Sequence, residues 1–290
     1  MELYFGPAGI PLSCKGRTFL DGIEDINMLG LNAMEIQLVR NIGSDVQGLD
    51  EVRDFAKKLG VRLSAHAPYY IDLVGNKESV ARSMEKITWC AEIADQIGAK
   101  TVVTSIGPYW QFTSKTALER AVENVRRVRD YFEKEGFKTK LGIEPSGRRE
   151  LFGSLDEILS IVKRVSNTIP VLSFHHIHAR EDGLFHKKED FQTVFDKVKA
   201  VTKSKNFYVT FSGVEYKNGN ELRATPIKKG DLKFEALVDC VLDNNYNMTI
   251  ISSSPLLEHD AMYMKVILER VKMKREVKEL RKGTEKKGKK

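Results

Sequence analysis

Apolar positions along this chain follow two periods in turn, and their alternation predicts the architecture. Short β-prone runs stand at Leu3 to Phe5, Ala33 to Val39, Val61 to Ala65, Thr101 to Ser105, Lys140 to Glu144, Pro170 to Phe174, Asn206 to Phe211 and Met248 to Ser252. They recur every 30 to 40 residues or so, roughly the length of a strand and helix together. Amphipathic segments of helical length fill the gaps. Ser79 to Gly98 is one, with a terminal glycine suited to closing a helix, and Ala117 to Glu135, before Gly136, is another. Strand then helix, eight times over, is the sequence form of a (β/α)8 TIM barrel, an α/β fold whose active sites gather at the C-terminal strand ends.

The length of 290 residues suits one such barrel, which takes about 250. No linker divides residues 1 to 271, which are read as the barrel domain. Residues 272 to 290 form a basic extension, helical to about Lys282, after which GTEKKGKK reads as disordered. Those last 19 residues hold ten Lys or Arg and three Glu, whereas the remainder has 37 basic and 37 acidic residues. The sequence pI near 9.1 is therefore a property of the tail, and the barrel is neutral. Such a tail serves either to contact phosphates or to keep the protein soluble.

No apolar stretch approaches the roughly 18 residues of a membrane span, and MELYFGPAGI lacks the pattern of a secretion signal. The expectation is a cytoplasmic protein without a membrane partner. Three well-separated cysteines, Cys14, Cys90 and Cys240, do not make a disulfide scaffold or a cysteine-rich zinc site. GPAGIP is a turn rather than a dinucleotide-binding glycine pattern. Met84, Trp89, Met262 and Met264 read as packing, and His186 and His259 as surface or capping residues.

The candidate chemistry stands at the ends of the runs. His66 lies in LSAHAPYY, Glu144 in LGIEPSG, and His175, His176 and His178 in LSFHHIHAR, ahead of Arg180. Imidazoles and carboxylates converging from different strands are how a barrel holds zinc or manganese. Adjacent residues on a strand face opposite ways, so His175 and His176 both reach the mouth only if the strand has ended before them. One or two of the three histidines should then be structural.

These stretches, together with GPAGIPLS, LGLNAMEIQLVR, FSGVEY and SSSPLLEHDAM, resemble the endonuclease IV family, especially its archaeal branch, within the xylose-isomerase-like barrel superfamily. The resemblance covers roughly residues 1 to 270. It implies a TIM barrel and, in active members, a three-metal centre, usually zinc, that cleaves the DNA backbone beside an abasic deoxyribose. Carried over by position, His66, Glu144 and His176 match three of the nine metal ligands. Ser105, Ser173, Thr210, Leu222, Ala224 and Ser253 stand where the other six belong. The full three-zinc centre is therefore not expected, and the cofactor is either none or a single divalent zinc or manganese.

The replacements leave a mouth rich in hydroxyls that can donate and accept hydrogen bonds. Tyr69, Ser105, Tyr109, His178 and Arg180 are the candidate substrate contacts, and Glu35 and Glu144 the candidate acid and base groups. Three functions stay open. One is a homologue that binds nucleic acid or a phosphorylated sugar, with weak or absent abasic-site cleavage. Another is a sugar isomerase or epimerase. The third is a working metal-dependent phosphodiester hydrolase of the abasic-site type, with metals on rearranged ligands such as His175, His178, Glu221 or Glu258.

Overall fold

The computed structural model describes residues 1–38 and 48–287, with side chains as far as Arg281. Twelve strands occur among the described residues: β1 Leu3–Pro7, β2 Ala33–Gln37, β3 Arg62–His66, β4 Thr101–Thr104, β5 Gly107–Pro108, β6 Lys140–Ile143, β7 Leu151–Phe152, β8 Thr168–Ser173, β9 Asn206–Phe211, β10 Gly213–Lys217, β11 Asn220–Thr225 and β12 Asn247–Ser252. Eight of them pair in parallel in the order β1-β12-β9-β8-β6-β4-β3-β2. An isolated parallel bridge between Ala8 and Glu35 joins the two outer strands. The expected (β/α)8 barrel is the fold observed.

The helices are α1 Phe19–Met28, α2 Leu49–Leu59, α3 Lys77–Gln96, α4 Ser114–Lys134, α5 Leu155–Arg164, α6 Phe174–Arg180, α7 Lys188–Thr202, α8 Phe234–Asn244 and α9 Leu257–Lys287. Their starts are written in the sequence. Thr18 and Asp21 form a capping box at α1, as do Ser154 and Glu157 at α5. Among the described residues, no helix is long and apolar enough to cross a membrane. The three cysteines are buried and unpaired.

Alternation along the strands divides the core in two. On β2, Met34 and Ile36 face the surrounding helices, while Ala33 joins Val103, Val171, Tyr208 and Ile251 inside the barrel. Glu35 follows Ala33 on the inward side. It therefore sits within the barrel, two residues before its strand ends, rather than at the rim as the sequence suggests.

Other boundaries also differ from the pattern. The second run ends at Gln37, and Val39 lies outside the described residues. Strand β8 stops at Ser173, and Phe174 opens α6 at once. Phe174 anchors this short helix edge-on against Phe185, Phe191 and Phe195, at centroid distances of 5.2, 5.0 and 5.7 Å. The last helix runs to Lys287 instead of ending near Lys282, because Lys, Arg and Glu are good helix formers and Gly283 alone does not break the run.

One element carries functional weight and was not expected. Strands β10 and β11 form an antiparallel hairpin, with Lys217 opposite Asn220 across a two-residue turn. Asn218 and Gly219 both have positive φ, 53° and 71°, as a tight hairpin turn needs. The hairpin folds onto the loop after β6, where the Glu221 amide donates to the Gly147 carbonyl at 2.8 Å. Gly147 permits this approach, since a Cβ there would lie 2.8 Å from that of Glu221.

Candidate functional site

Two charged pairs form at the C-terminal end of the barrel. The first joins His66, the last residue of β3, to Glu144, which follows β6 and is held in register by its amide on the Thr104 carbonyl at 3.0 Å. His66 Nε2 lies 3.1 Å from Glu144 Oε1, and Nδ1 lies 2.6 Å from the Ala67 carbonyl oxygen. Both ring nitrogens face oxygen acceptors, which requires the doubly protonated imidazolium. Burial opposes that charge, but Glu144 and then Glu35 outweigh it and hold the His66 pKa at about 9. Burial would raise Glu144, yet His66 keeps it below the usual carboxylate range.

These shifts fix a pH dependence. The raised His66 contributes stability that is complete below its unfolded value of about 6.5 and is lost as pH rises through about 9. The share of the depressed Glu144 is present above the unfolded carboxylate value and is lost as pH falls through its folded one. We expect the melting temperature to decline between about pH 7 and about pH 10, and His66→Gln to flatten that alkaline limb. Melting curves across this range check it. A wild-type melting temperature that holds steady to the alkaline end would disprove the ion pair.

Beneath the pair lies Glu35, 2% exposed. The Tyr208 hydroxyl donates to one of its oxygens at 2.6 Å and the Gln37 amide to the other at 2.7 Å. Ser64 Oγ is 2.6 Å from the same Tyr208 oxygen. Desolvation raises the Glu35 pKa, opposed by the charge of His66. Glu35 and Glu144 are thus displaced in opposite directions. Tyr69, 63% exposed, tilts over the His66 ring at 5.4 Å between centroids, and its hydroxyl donates to Gln37 at 3.2 Å.

The second pair is His176 with Glu221. The short hydrogen bond from His176 Nδ1 to Glu221 Oε2 links α6 to the hairpin. Burial tends to raise the Glu221 pKa, but the His176 charge and hydrogen bond bring it to about 2. The His175 ring lies tilted at 43° against His176, with centroids 4.0 Å apart. Because β8 has ended, both histidines come off the first turn of a helix and stay on one side. The pKa of His175 falls to about 3, through burial first and the neighbouring His176 charge second, so it is neutral at pH 7.

His175 is 3% exposed, and its Nδ1 has no hydrogen-bond partner. Leaving such an atom unpaired costs about 1–3 kcal/mol. Donor atoms of His175, His176 and Glu221 lie within 4.8 Å of one another, the one cluster of this kind among the described residues. Donors sharing an ion at bond lengths of about 2.1 Å stand roughly 3–4 Å apart, so the fit needs side-chain shifts of about 1 Å. Ser252 Oγ and Ser253 Oγ, at the end of β12, are also buried without partners.

Several candidate residues prove to be engaged elsewhere. Arg180 donates to the carbonyls of Ser146 at 3.3 Å and Leu151 at 3.0 Å, and to Arg148, bracing the loop after β6. It also donates to the Tyr109 hydroxyl at 3.2 Å, which itself donates to Glu157 at 2.7 Å. His178 Nδ1 accepts the Phe185 amide at 3.0 Å, so Nε2 carries the proton and donates to Asp231 at 3.2 Å. Glu258 accepts from the Leu12 and Ser13 amides at 2.8 and 2.9 Å. Ser105 stands half-buried just past β4, and Ser173 Oγ reaches Glu144 at a long 3.5 Å.

The family model described as the xylose isomerase-like TIM barrel matches residues 23–262. The chain belongs to this family. An uncharacterized protein of Methanocaldococcus jannaschii is 30% identical over 271 residues, which cover 90% of this chain and 95% of that protein. Among solved structures, a D-tagatose 3-epimerase-like protein superposes with a TM-score of 0.72 at 18% identity, covering 93% of this chain and 97% of that one. Endonuclease IV from Thermus thermophilus gives 0.70, also at 18% identity, covering 92% and 99%. At such identities the likeness is one of fold, and fold alone does not select a chemistry.

Glu221, one of the candidate rearranged ligands, owes its place to a hairpin that the sequence signals. The Asn218-Gly219 dipeptide between GVEYK and NELRAT is a strong hairpin signal, and it carries Glu221 back over the mouth. Tyr208 and Gln37, which hold Glu35, carry no local signal.

Proposed function

We propose that this barrel is an endonuclease IV-like protein that binds phosphodiester-containing nucleic acid at its mouth, holds at most one divalent ion there, and cleaves abasic sites weakly or not at all. The observation that carries the reading is the cluster of His175, His176 and Glu221, with the unpaired, neutral Nδ1 of His175. Two imidazoles and a carboxylate suit zinc or manganese. An ion there would supply a Lewis acid for a phosphate oxygen. His66 adds a fixed positive charge from this chain itself.

The His66–Glu144 pair is a poorer metal site, although the resemblance assigns ligands there. Each nitrogen of His66 already faces an oxygen, and the third place falls to Ser105, whose hydroxyl is a weak ligand. Tyr69 lies against His66, and the loops after β3 and β5 carry two more exposed rings, Tyr70 at 88% and Trp110 at 61%. Aromatic faces beside a cationic site suit stacked bases or an unpaired deoxyribose.

The opposite displacements of Glu35 and Glu144 favour a second reading, a sugar epimerase, since paired carboxyls pushed apart often divide acid and base roles. Against it, both Glu35 oxygens already accept hydrogen bonds.

Fluorescence anisotropy with an abasic and an intact oligonucleotide tests the proposal. Binding of the abasic strand should tighten with Zn²⁺ or Mn²⁺, and cutting the chain after Lys282 should lower the salt slope by about 0.9 per lost phosphate contact. Equal affinity with and without metal, alongside interconversion of ketohexoses by the same sample, would transfer the assignment to the epimerase reading.

A further inference from the structure

A cavity of about 440 Å³ opens at the end of the barrel opposite the mouth. Its wall includes the first residues of five strands, Arg62, Thr101, Lys140, Thr168 and Asn206, whereas His66 and Ser173 end two of the same strands. A neighbouring hollow of about 360 Å³ shares Arg62, Leu63 and Lys100 with it. Together the two are lined by Arg53, Lys57, Arg62, Lys100 and Lys140 and, among the described residues, by no carboxylate. The barrel as a whole is neutral, so this is a local concentration of positive charge.

We propose that this N-terminal face binds a small phosphate ester of nucleotide size, its phosphates on Arg62, Lys100 and Lys140 and its apolar part on the barrel floor. Arg62 is set in place: its guanidinium lies 3.5 Å over the Tyr4 ring and donates to Thr249 Oγ1 at 3.2 Å. Its acidic neighbour Glu2 is 3.9 Å away and largely exposed, so it leaves the charge available. Lys140 opens β6 and Lys100 immediately precedes the adjacent β4, with the Lys140 amide on the Lys100 carbonyl at 3.1 Å. Both side chains line the cavity, and neither has a carboxylate within ion-pair distance among the described residues. The floor is apolar, formed by Ile169, Phe207 and the Tyr208 ring. A volume of this size lies within the range of small-molecule sites.

The simplest alternative is that the lysines only complement the carbonyl ends of helices. Val165 and Lys203 close α5 and α7 near the cavity, each end worth about half a negative charge. Gly60 and Ile97 close α2 and α3 at the second hollow, so four such ends offset about two charges, and Arg53 is already paired with Asp50 and Asp54. Lys100 and Lys140 are left without a carboxylate partner among the described residues, and they carry the proposal.

Calorimetric titration of the full-length protein with ADP tests the site, with EDTA present so that no ion at the mouth contributes. ADP should bind at one site per chain, about tenfold or more weaker in Lys100→Ala/Lys140→Ala and nearly unchanged in Lys100→Arg/Lys140→Arg. Both lysines are exposed, so the melting temperature without ADP should stay put in each variant and confirm an intact fold. Undiminished ADP affinity in the alanine variant, or no binding by the wild type, overturns the proposal. Because the titration excludes metal, its failure leaves the nucleic-acid reading of the mouth to stand or fall on its own test.

Discussion

Zinc or manganese added to metal-free protein should raise its melting temperature by about 5 °C when the free ion is at about 100 times its Kd. Binding to the native state alone contributes about 2.7 kcal/mol at that ratio. For a chain of this length each kcal/mol moves the midpoint by roughly 2 °C. Elemental analysis should find one ion per chain. The shift should vanish in His175→Ala, His176→Ala and Glu221→Gln, because each removes one of only three donors. It should survive in Glu144→Gln, since Glu144 is occupied by His66 and Ser173. A shift that disappears with Glu144→Gln but persists with Glu221→Gln would place the ion on the His66 side and discard the His175 cluster.

The contrast between those two variants also marks where the sequence ceased to be legible. Eight strands were visible because parallel barrel strands, covered on both faces, read as nearly unbroken apolar runs. Their ends were less so. Whether His175 and His176 share a face depends on β8 stopping at Ser173, and nothing in LSFHHIHAR announces a helix starting at Phe174. The reason lies in the Phe185, Phe191 and Phe195 side chains that receive Phe174, and these come from later in the chain. Strand-end position singled out His66 and Glu144, which meet at 3.1 Å. The same rule named Tyr109, His178 and Arg180, whose polar atoms serve loop and helix packing. A polar residue beside a strand end has two employers, the ligand and the backbone of the long loops. Sequence position does not distinguish them; the hydrogen-bond partners do.

An abasic-site oligonucleotide incubated with the protein and zinc at neutral pH should be cut slower than by a complete three-metal member by a factor on the order of 10⁴ or more. Hydrolysis of a phosphodiester in such centres depends on ions that stabilise both the attacking and the leaving oxygen. Each lost transition-state contact typically removes a factor of about 10²–10³. Ser105, Ser173, Thr210 and Ser253 bring hydroxyls to places where the resemblance calls for imidazole or carboxylate. The two hairpin positions, Leu222 and Ala224, bring no ligand at all. The hairpin does return one carboxylate, Glu221, to His176, and the proposed single-ion site would combine these two with His175. One ion can neutralise a phosphate and hold it, but it does not span the two oxygens that exchange. Binding without rapid cleavage is the behaviour that follows. Rapid cleavage abolished by a chelator, and lost in Glu221→Gln, would mean that one ion and the His66 imidazolium suffice, and would turn the proposed binding protein into a nuclease with a reduced metal centre.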